Sequence, residues 1–307
     1  MKKRGFLLGK FLPPHAGHLF MCRTAQALCD ELTVLVCTLD REPINGNLRY
    51  DWMKKLLPEA RVIHFTKDVP QEPADHPGFL GNLERHLQDG ASRADRHCLR
   101  FRTLCHASGA GTGCKTGVID PERLAFPVSG TAIRDNPYAN WEMVPGPVRP
   151  FYQKRIVLMG AESTGKSTLA LQLARHFKTL HVPEYGRIYD AFRTQEWSAE
   201  SFSEIEAGHG AMREALATEA GPLLIEDTDE LATRVWEGAL NGTSPDRPRP
   251  PRLADLFLLL ATDLPWRDDG TRYMAENAFP RKIPEGTGRG VAGCWRKLER
   301  NPWHGTR

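Results

Sequence analysis

Two glycine-bounded turns recur about 150 residues apart in this 307-residue chain, each set after a short apolar run and before a stretch of helical period. The first is Gly9-Lys10-Phe11-Leu12-Pro13-Pro14-His15-Ala16-Gly17-His18, and the second is Gly160-Ala161-Glu162-Ser163-Thr164-Gly165-Lys166-Ser167. Strand, glycine turn, helix is the repeating unit of a parallel sheet, and the turn leaves backbone N–H groups pointing at whatever sits before the helix. The chain is therefore predicted to be α/β, with two parallel-sheet domains.

The flanking pattern supports this. Phe6-Leu7-Leu8 reads as a buried strand, and apolar residues from His18 to Leu32 recur at helical spacing. Thr33–Thr38 is rich in β-branched residues, Leu48–Leu57 reads as a helix stopped before Pro58, and Arg61–Phe65 reads as a third strand. Pro145-Gly146-Pro147-Val148-Arg149-Pro150 reads as a connector. Beyond it the pattern restarts with a strand at Arg155–Met159, a helix at Ser167–Phe177, and strands at Thr179–Val182, Leu223–Ile225 and Leu256–Leu260. The predicted organisation is a domain over 1–144, a Pro-rich linker over 145–153, a second domain over 154–272, and an atypical tail over 273–307. Spans 89–117 and 273–307 lack a period that would bury one face, so both are expected to be irregular and poorly ordered.

Composition narrows the class. A net charge of +3 is too mild for a nucleic-acid footprint and suits small anionic ligands. The longest apolar run, Leu256 to Ala261, is six residues, too short to span a bilayer. The basic start Met1-Lys2-Lys3-Arg4 is followed by an apolar stretch that ends at Lys10, which is no secretory signal. A cytoplasmic protein with neither nucleic-acid nor membrane partners is expected, and homo-oligomerisation is left open. Seven cysteines without a C-x-x-C pair read as reduced thiols, with Cys22, Cys29 and Cys37 in the first domain's elements. A zinc site from Cys98, Cys105 and Cys114 is set aside for the same reason.

The second turn fits the P-loop pattern G-x-x-x-x-G-K-[ST] in full. Gly160, Glu162, Ser163, Thr164 and Gly165, with Ser167 and Thr168 at the helix start, are candidate ATP contacts. Lys166 would reach the β- and γ-phosphates, and the Ser167 hydroxyl would ligate Mg²⁺. Ile225-Glu226-Asp227-Thr228-Asp229 places carboxylates at the end of an apolar strand, where open α/β sheets hold ligands. One would hold Mg²⁺ through water and another would orient an attacking hydroxyl. Asp227 is the candidate for metal and catalysis, and Asp229 for substrate. A helix cap in a solvated turn is the plainer reading of the same residues. Glu184, Tyr185 and Arg187 offer a carboxylate, an aromatic face and a guanidinium after another strand. Trp266 and Arg272 bracket a candidate lid whose arginine would neutralise phosphate charge, with Trp266 open to packing or stacking.

In the first turn, His15 and His18 lie three apart at a helix start and can both donate toward one triphosphate. Gly9, Lys10, Phe11 and Gly17 complete the candidate ATP turn, and Ser129, Thr131 and Arg134 form a second phosphate-binding set. Arg49 and Trp52, at i and i+3 on one helix, suit a mononucleotide substrate, or simply a helix with one buried aromatic. Gly109–Thr116 is a near miss to a P-loop, interrupted by Cys114, and is read as a loop.

The first-domain motifs resemble the nicotinamide mononucleotide adenylyltransferases. The P-loop, Pro183–Arg187, Asp227–Asp229 and Pro265–Arg272 resemble a ribosylnicotinamide kinase. Their order is similar to that of the NadR-type bifunctional proteins, over roughly residues 4–85 and 118–272. The resemblance implies an N-terminal Rossmann-like nucleotidyltransferase and a C-terminal P-loop kinase. It implies a chain that phosphorylates nicotinamide riboside with ATP and joins nicotinamide mononucleotide to a second ATP, releasing pyrophosphate and NAD, with Mg²⁺ as cofactor. Two other readings keep both ATP sites: the same chemistries on another acceptor, and a nucleotide sensor with weak turnover. Spans 89–117 and 273–307 depart from the family pattern.

Overall fold

Strand β2 (Glu31–Cys37) buries residues of both parities, Val34, Leu35 and Val36 among them, so it is covered on both faces. That is the signature of a strand inside a parallel sheet with helices above and below. The computed structural model describes residues 4–66, 96–98, 119–120, 122–241 and 253–261. The chain divides into two compact units between Tyr152 and Gln153.

In the first unit β2 lies between β1 (Arg4–Gly9) and β3 (Arg61–Phe65), and β1 pairs on its far side with β4 (Arg96–Cys98). All pairs are parallel and the order is β3-β2-β1-β4. The chain runs outward from β1 through β2 to β3, then returns to the other side of β1. The carboxyl end of β1 is therefore the point where strand order reverses, the favoured ligand position of open parallel sheets. Helix α1 (Ala16–Leu28) buries Leu19, Cys22 and Ala25 against one face, together with Leu7, Val34, Val36 and Met53. Leu8, Leu35, Cys37 and Phe65 form the core of the opposite face. Helix α2 (Gly46–Leu56) starts at Asn45, whose side chain accepts the Asn47 N–H at 2.9 Å. Helix α3 (Gly130–Asp135) starts at Ser129, whose hydroxyl accepts the Ala132 N–H at 3.1 Å. Cys22 and Cys37 are free thiols pushed up to about 12 by burial.

Three elements here differ from the sequence reading. Leu32 belongs to β2, because Cys29 already ends α1 in an extended conformation. The proline-rich connector folds into a 3₁₀ turn at Gly146–Val148 and a one-turn helix α4 (Arg149–Tyr152), with Val148 fully buried. Proline is tolerated at a helix start, where no N–H is required of it. The span 89–117 contributes β4, a strand held by main-chain pairing to β1, which asks for no side-chain period. The rest of that span and the tail at 273–307 lie outside the described residues.

The second unit has parallel order β6-β7-β5-β8, from β5 (Lys154–Met159), β6 (His181–Val182), β7 (Leu223–Asp227) and β8 (Leu256–Leu259). Helix α5 (Lys166–His176) packs Ala170 and Ala174 on Leu158 and Ile225. Helices α6 (Tyr185–Phe192), α7 (Ala199–Ala217) and α8 (Glu230–Asn241) complete the unit. Among the described residues no helix is long and apolar enough to cross a membrane.

One glycine carries a firm expectation. A Cβ on Gly130 would be driven into the Leu12 carbonyl oxygen, a main-chain atom that cannot swing away. Gly130→Ala should therefore cost about 1–3 kcal/mol in denaturant unfolding. Gly210→Ala in α7, where a Cβ would make only ordinary contacts with the ends of the Arg213 and Glu230 side chains at 3.6 and 3.9 Å, should be neutral or gain up to about 1 kcal/mol.

Candidate active sites

The first candidate site grows from the end of β1. His15 caps α1, its Nδ1 accepting the His18 N–H at 3.4 Å. The two rings lie close, centroids 3.7 Å apart and tilted by 31°, and Phe11 meets His18 edge-on at 5.0 Å. A side chain at Gly17 would stand 3.2 Å from the His15 ring, so glycine lets the pair close up. The Ser129–Arg134 segment comes to this turn: Arg134 donates to the Leu12 carbonyl and, at 3.0 Å, to the Thr131 hydroxyl. Two helix starts and two imidazoles thus converge beside Gly9 and Lys10, an arrangement that can hold a phosphate chain.

Arg49 and Trp52 are placed differently from the substrate contacts that their spacing suggested. Arg49 is fully buried, donating to the Lys10 carbonyl at 2.7 Å and to Glu42 Oε2 at 2.5 Å. It braces the phosphate turn from beneath. Trp52 is packed with Ile44, Val128, Ile133 and Val148, its indole edge-on to Phe151. That is the plainer alternative, a buried helix aromatic.

The second candidate site begins where β5 runs into the P-loop. Gly160 has φ +149° and its absent Cβ would lie 2.9 Å from the Leu260 carbonyl oxygen, while Ser163 and Gly165 also turn with positive φ. Buried Lys166 folds back, donating to the carbonyls of Gly160 at 3.0 Å and Ala161 at 2.8 Å. Burial lowers its pKa, opposed by Glu184 and Asp227. Thr164 donates to Ala161, while Ser167 and Thr168 stand exposed in the first turn of α5. Asp227, at the tip of β7, is buried and its Oδ1 has no hydrogen-bond partner among the described residues. An orphaned carboxylate oxygen beside a phosphate loop fits a hard cation or its water.

A cavity enclosing about 810 Å³, part of it open to solvent, begins at Lys166 and Glu162. Its walls include Glu184, Tyr185 and Arg187. Arg187 is tied to Glu184 at 2.8 Å. The Tyr185 ring occupies the space a side chain on Gly208 would need. Trp197, Phe202, His209 and Trp236 also line it, and the sequence reading missed all four. Trp197 stacks on Phe202 at 5.4 Å, with the Arg193 guanidinium 4.5 Å over the indole. Phe202, Ile205 and His209 recur at helical spacing along α7, but the buried His209 and Ser201 break the apolar period that would have marked that face. Asp229 is not in this wall: its Oδ1 accepts the N–H groups of Leu231 and Ala232 at 2.9 and 3.1 Å, capping α8. Trp266, Arg272 and the Gly109–Thr116 loop lie outside the described residues.

The second unit's fold and site define a P-loop nucleotide-binding α/β protein. An AAA domain model matches residues 155–279. The trifunctional NAD biosynthesis/regulator protein NadR of Salmonella typhimurium is 26% identical over 306 residues, covering 90% of this chain and 73% of the relative. The Escherichia coli protein of the same description is 26% identical over 301 residues with the same coverage. A crystal structure of NadR with NAD and AMP-PNP superimposes with TM-score 0.63 at 22% identity, covering 84% of this chain and 81% of that one. Another, of NadR with NR, gives 0.60 at 23% identity over 77% and 70%. The chain is thus similar to NadR proteins along most of its length and shares the fold of the solved NadR structures.

Asp229 makes the pH dependence of the second unit's stability testable. Burial raises its carboxyl to about 6, against capping by the Ala232 N–H, with Glu230 and Glu226 raising it further. A raised carboxyl favours the protonated folded state, so stability falls as pH rises from about 4 to 6. Asp229→Asn keeps the cap acceptor and removes the buried charge. Its unfolding midpoint should exceed the parent's above pH 6, with the gain shrinking toward pH 4. A gain independent of pH would rule out this origin.

Proposed function

We propose that the protein makes NAD in two steps, each on its own unit. Residues 1–144 would form a Rossmann-like adenylyltransferase, 145–153 a connector, and 154–272 a P-loop kinase. The carrying observation is that each parallel sheet presents a separate phosphate-holding turn at the end of a central strand, after β1 and after β5. The similar proteins' roles in NAD biosynthesis supply the reaction class.

In the kinase step the 5′-hydroxyl oxygen of nicotinamide riboside attacks the γ-phosphorus of ATP. The bond to the bridging oxygen breaks, ADP leaves, and the hydroxyl proton passes to a carboxylate or to solvent. Lys166 exchanges its loop carbonyls for phosphate oxygens, and Gly160–Thr168 wraps the phosphates. Ser167 and Asp227 would hold Mg²⁺, which neutralises charge on the transferred group. The aromatic and acidic walls around Glu184 and Tyr185 suit a cationic base on a sugar. In the second step a phosphate oxygen of the mononucleotide attacks the α-phosphorus of another ATP and pyrophosphate leaves. His15, His18, Lys10 and the Ser129–Arg134 segment would stabilise charge developing on the phosphates. Small molecules in the cytoplasm are the expected partners.

Purified protein with Mg-ATP and either nicotinamide riboside or its mononucleotide, scored for ADP, pyrophosphate and NAD, tests both steps. Tight binding with negligible turnover would favour the sensor reading instead. His18→Ala should slow NAD formation from the mononucleotide by about 10²–10³ and leave riboside phosphorylation near normal. Unaltered NAD formation would make His18 structural. Lys166→Ala should abolish riboside phosphorylation and spare adenylyl transfer. Loss of both activities in a folded variant would overturn the assignment of one step to each unit.

A further inference from the structure

Among the described residues, His209 is the one imidazole that lines the cavity of the second unit. It lies on α7 with only 2% of its surface exposed, and its Nε2 is 3.3 Å from Glu226 Oε2. Glu226 is itself fully buried and is gripped by Arg155 at 2.5 and 3.1 Å. Arg213 stands 3.5 Å from the same carboxylate and is paired with Glu230 at 2.5 Å. A fixed carboxylate at Nε2 makes that nitrogen the donor in the neutral ring, and leaves Nδ1 as the acceptor.

The rest of the wall says what such an acceptor meets. Glu184 and Asp190 add carboxylates, and Tyr185, Trp197 and Phe202 add aromatic faces. Arg187 and Arg193 are already tied to Glu184 and Asp190 at 2.8 and 2.6 Å. The cavity therefore offers aromatic faces and acceptors, and is suited to a ring system carrying several hydroxyl donors.

We infer that His209, oriented by Glu226 and Arg155, is a substrate-binding residue whose Nδ1 accepts a hydrogen bond from a non-reacting ribose hydroxyl of the phosphate acceptor. This rests on the kinase reading above, and it adds a residue that discriminates ribosides from deoxyribosides. The buried ion pair acts as a positioning device for the imidazole, since an isolated pair of this kind contributes little net stability. A hydroxyl lost from a site that leaves its acceptor unpaired costs about 10- to 100-fold in specificity.

The test compares nicotinamide riboside with its 2′-deoxy and 3′-deoxy analogues, by calorimetric binding and by kcat/KM for phosphorylation, in the full-length protein. The parent should disfavour at least one analogue by about 10-fold or more. His209→Gln keeps an amide N–H where Nε2 donates to Glu226 but has no polar atom at the δ position. It should fold normally by thermal melt, weaken riboside binding and lose the discrimination. His209→Asn, with its polar atoms at the δ position, should retain part of it. A merely structural role would lower riboside and analogues by the same factor in both variants. That result, or a parent that binds riboside and deoxyribosides alike, overturns this inference alone. A parent that binds no riboside overturns the kinase reading and the inference together.

Discussion

A carboxylate with no access to water organises the second unit. Glu226 sits on β7, its bidentate partner Arg155 on β5, and His209 and Arg213 on α7. A charge in that position is costly unless it is fully paired, so the two central strands and the long helix are held in one arrangement. Asp227, the residue after Glu226, is carried by the same strand to the P-loop. Because alternate strand residues face opposite ways, anchoring Glu226 fixes where the Asp227 carboxylate points. The orphaned Oδ1 beside Lys166 thus follows from a rigid pairing one residue away.

The first unit solves the same problem in a different place. Its phosphate turn has no long helix to brace it, and a buried guanidinium does the bracing. Arg49 reaches from α2 to the Lys10 carbonyl while Glu42 neutralises it. Arg134 holds the Leu12 carbonyl from the other side. Each arginine satisfies a carbonyl that a tight turn would otherwise leave unpaired. A mobile turn would have to be ordered by its ligand. This one is ordered beforehand, so less of the ligand's interaction energy goes into fixing the loop.

Every described strand but β4 was legible in the sequence, because the signals of the others are local. Apolar runs such as Thr33–Thr38 and Arg155–Met159 lie within a residue or two of the observed β2 and β5. Helix α7 was not legible, though it spans 19 residues. Its buried face mixes Phe202 and Ile205 with Ser201 and His209, and Gly208 and Gly210 interrupt it. A hydrophobic period cannot register polar groups that are buried because something distant pairs with them. The same blindness hid the Arg155–Glu226 pair, whose members are separated by 71 residues. It also gave Arg49 a substrate to touch when its partners were Lys10 and Glu42.

Burying a polar residue demands a partner, and the partner's identity shows whether the residue is structural or faces a ligand. Arg49 has two donors engaged by the protein itself, and Asp229 spends its carboxylate on the α8 cap. Both motif assignments were reasonable by type and spacing, and in both residues the bonds that are made serve the protein's own turns and helix ends. Asp227 and His209 are the converse. Each is nearly inaccessible; one has an unpaired oxygen, and the other uses a single ring nitrogen for the protein. At Asp227, beside the P-loop, and at His209, on the cavity wall, that unused capacity is held on a rigid scaffold, as a site for an ion or a substrate requires. On that ground the second unit's candidate site is defined as much by α7, which carries no nucleotide motif, as by the P-loop.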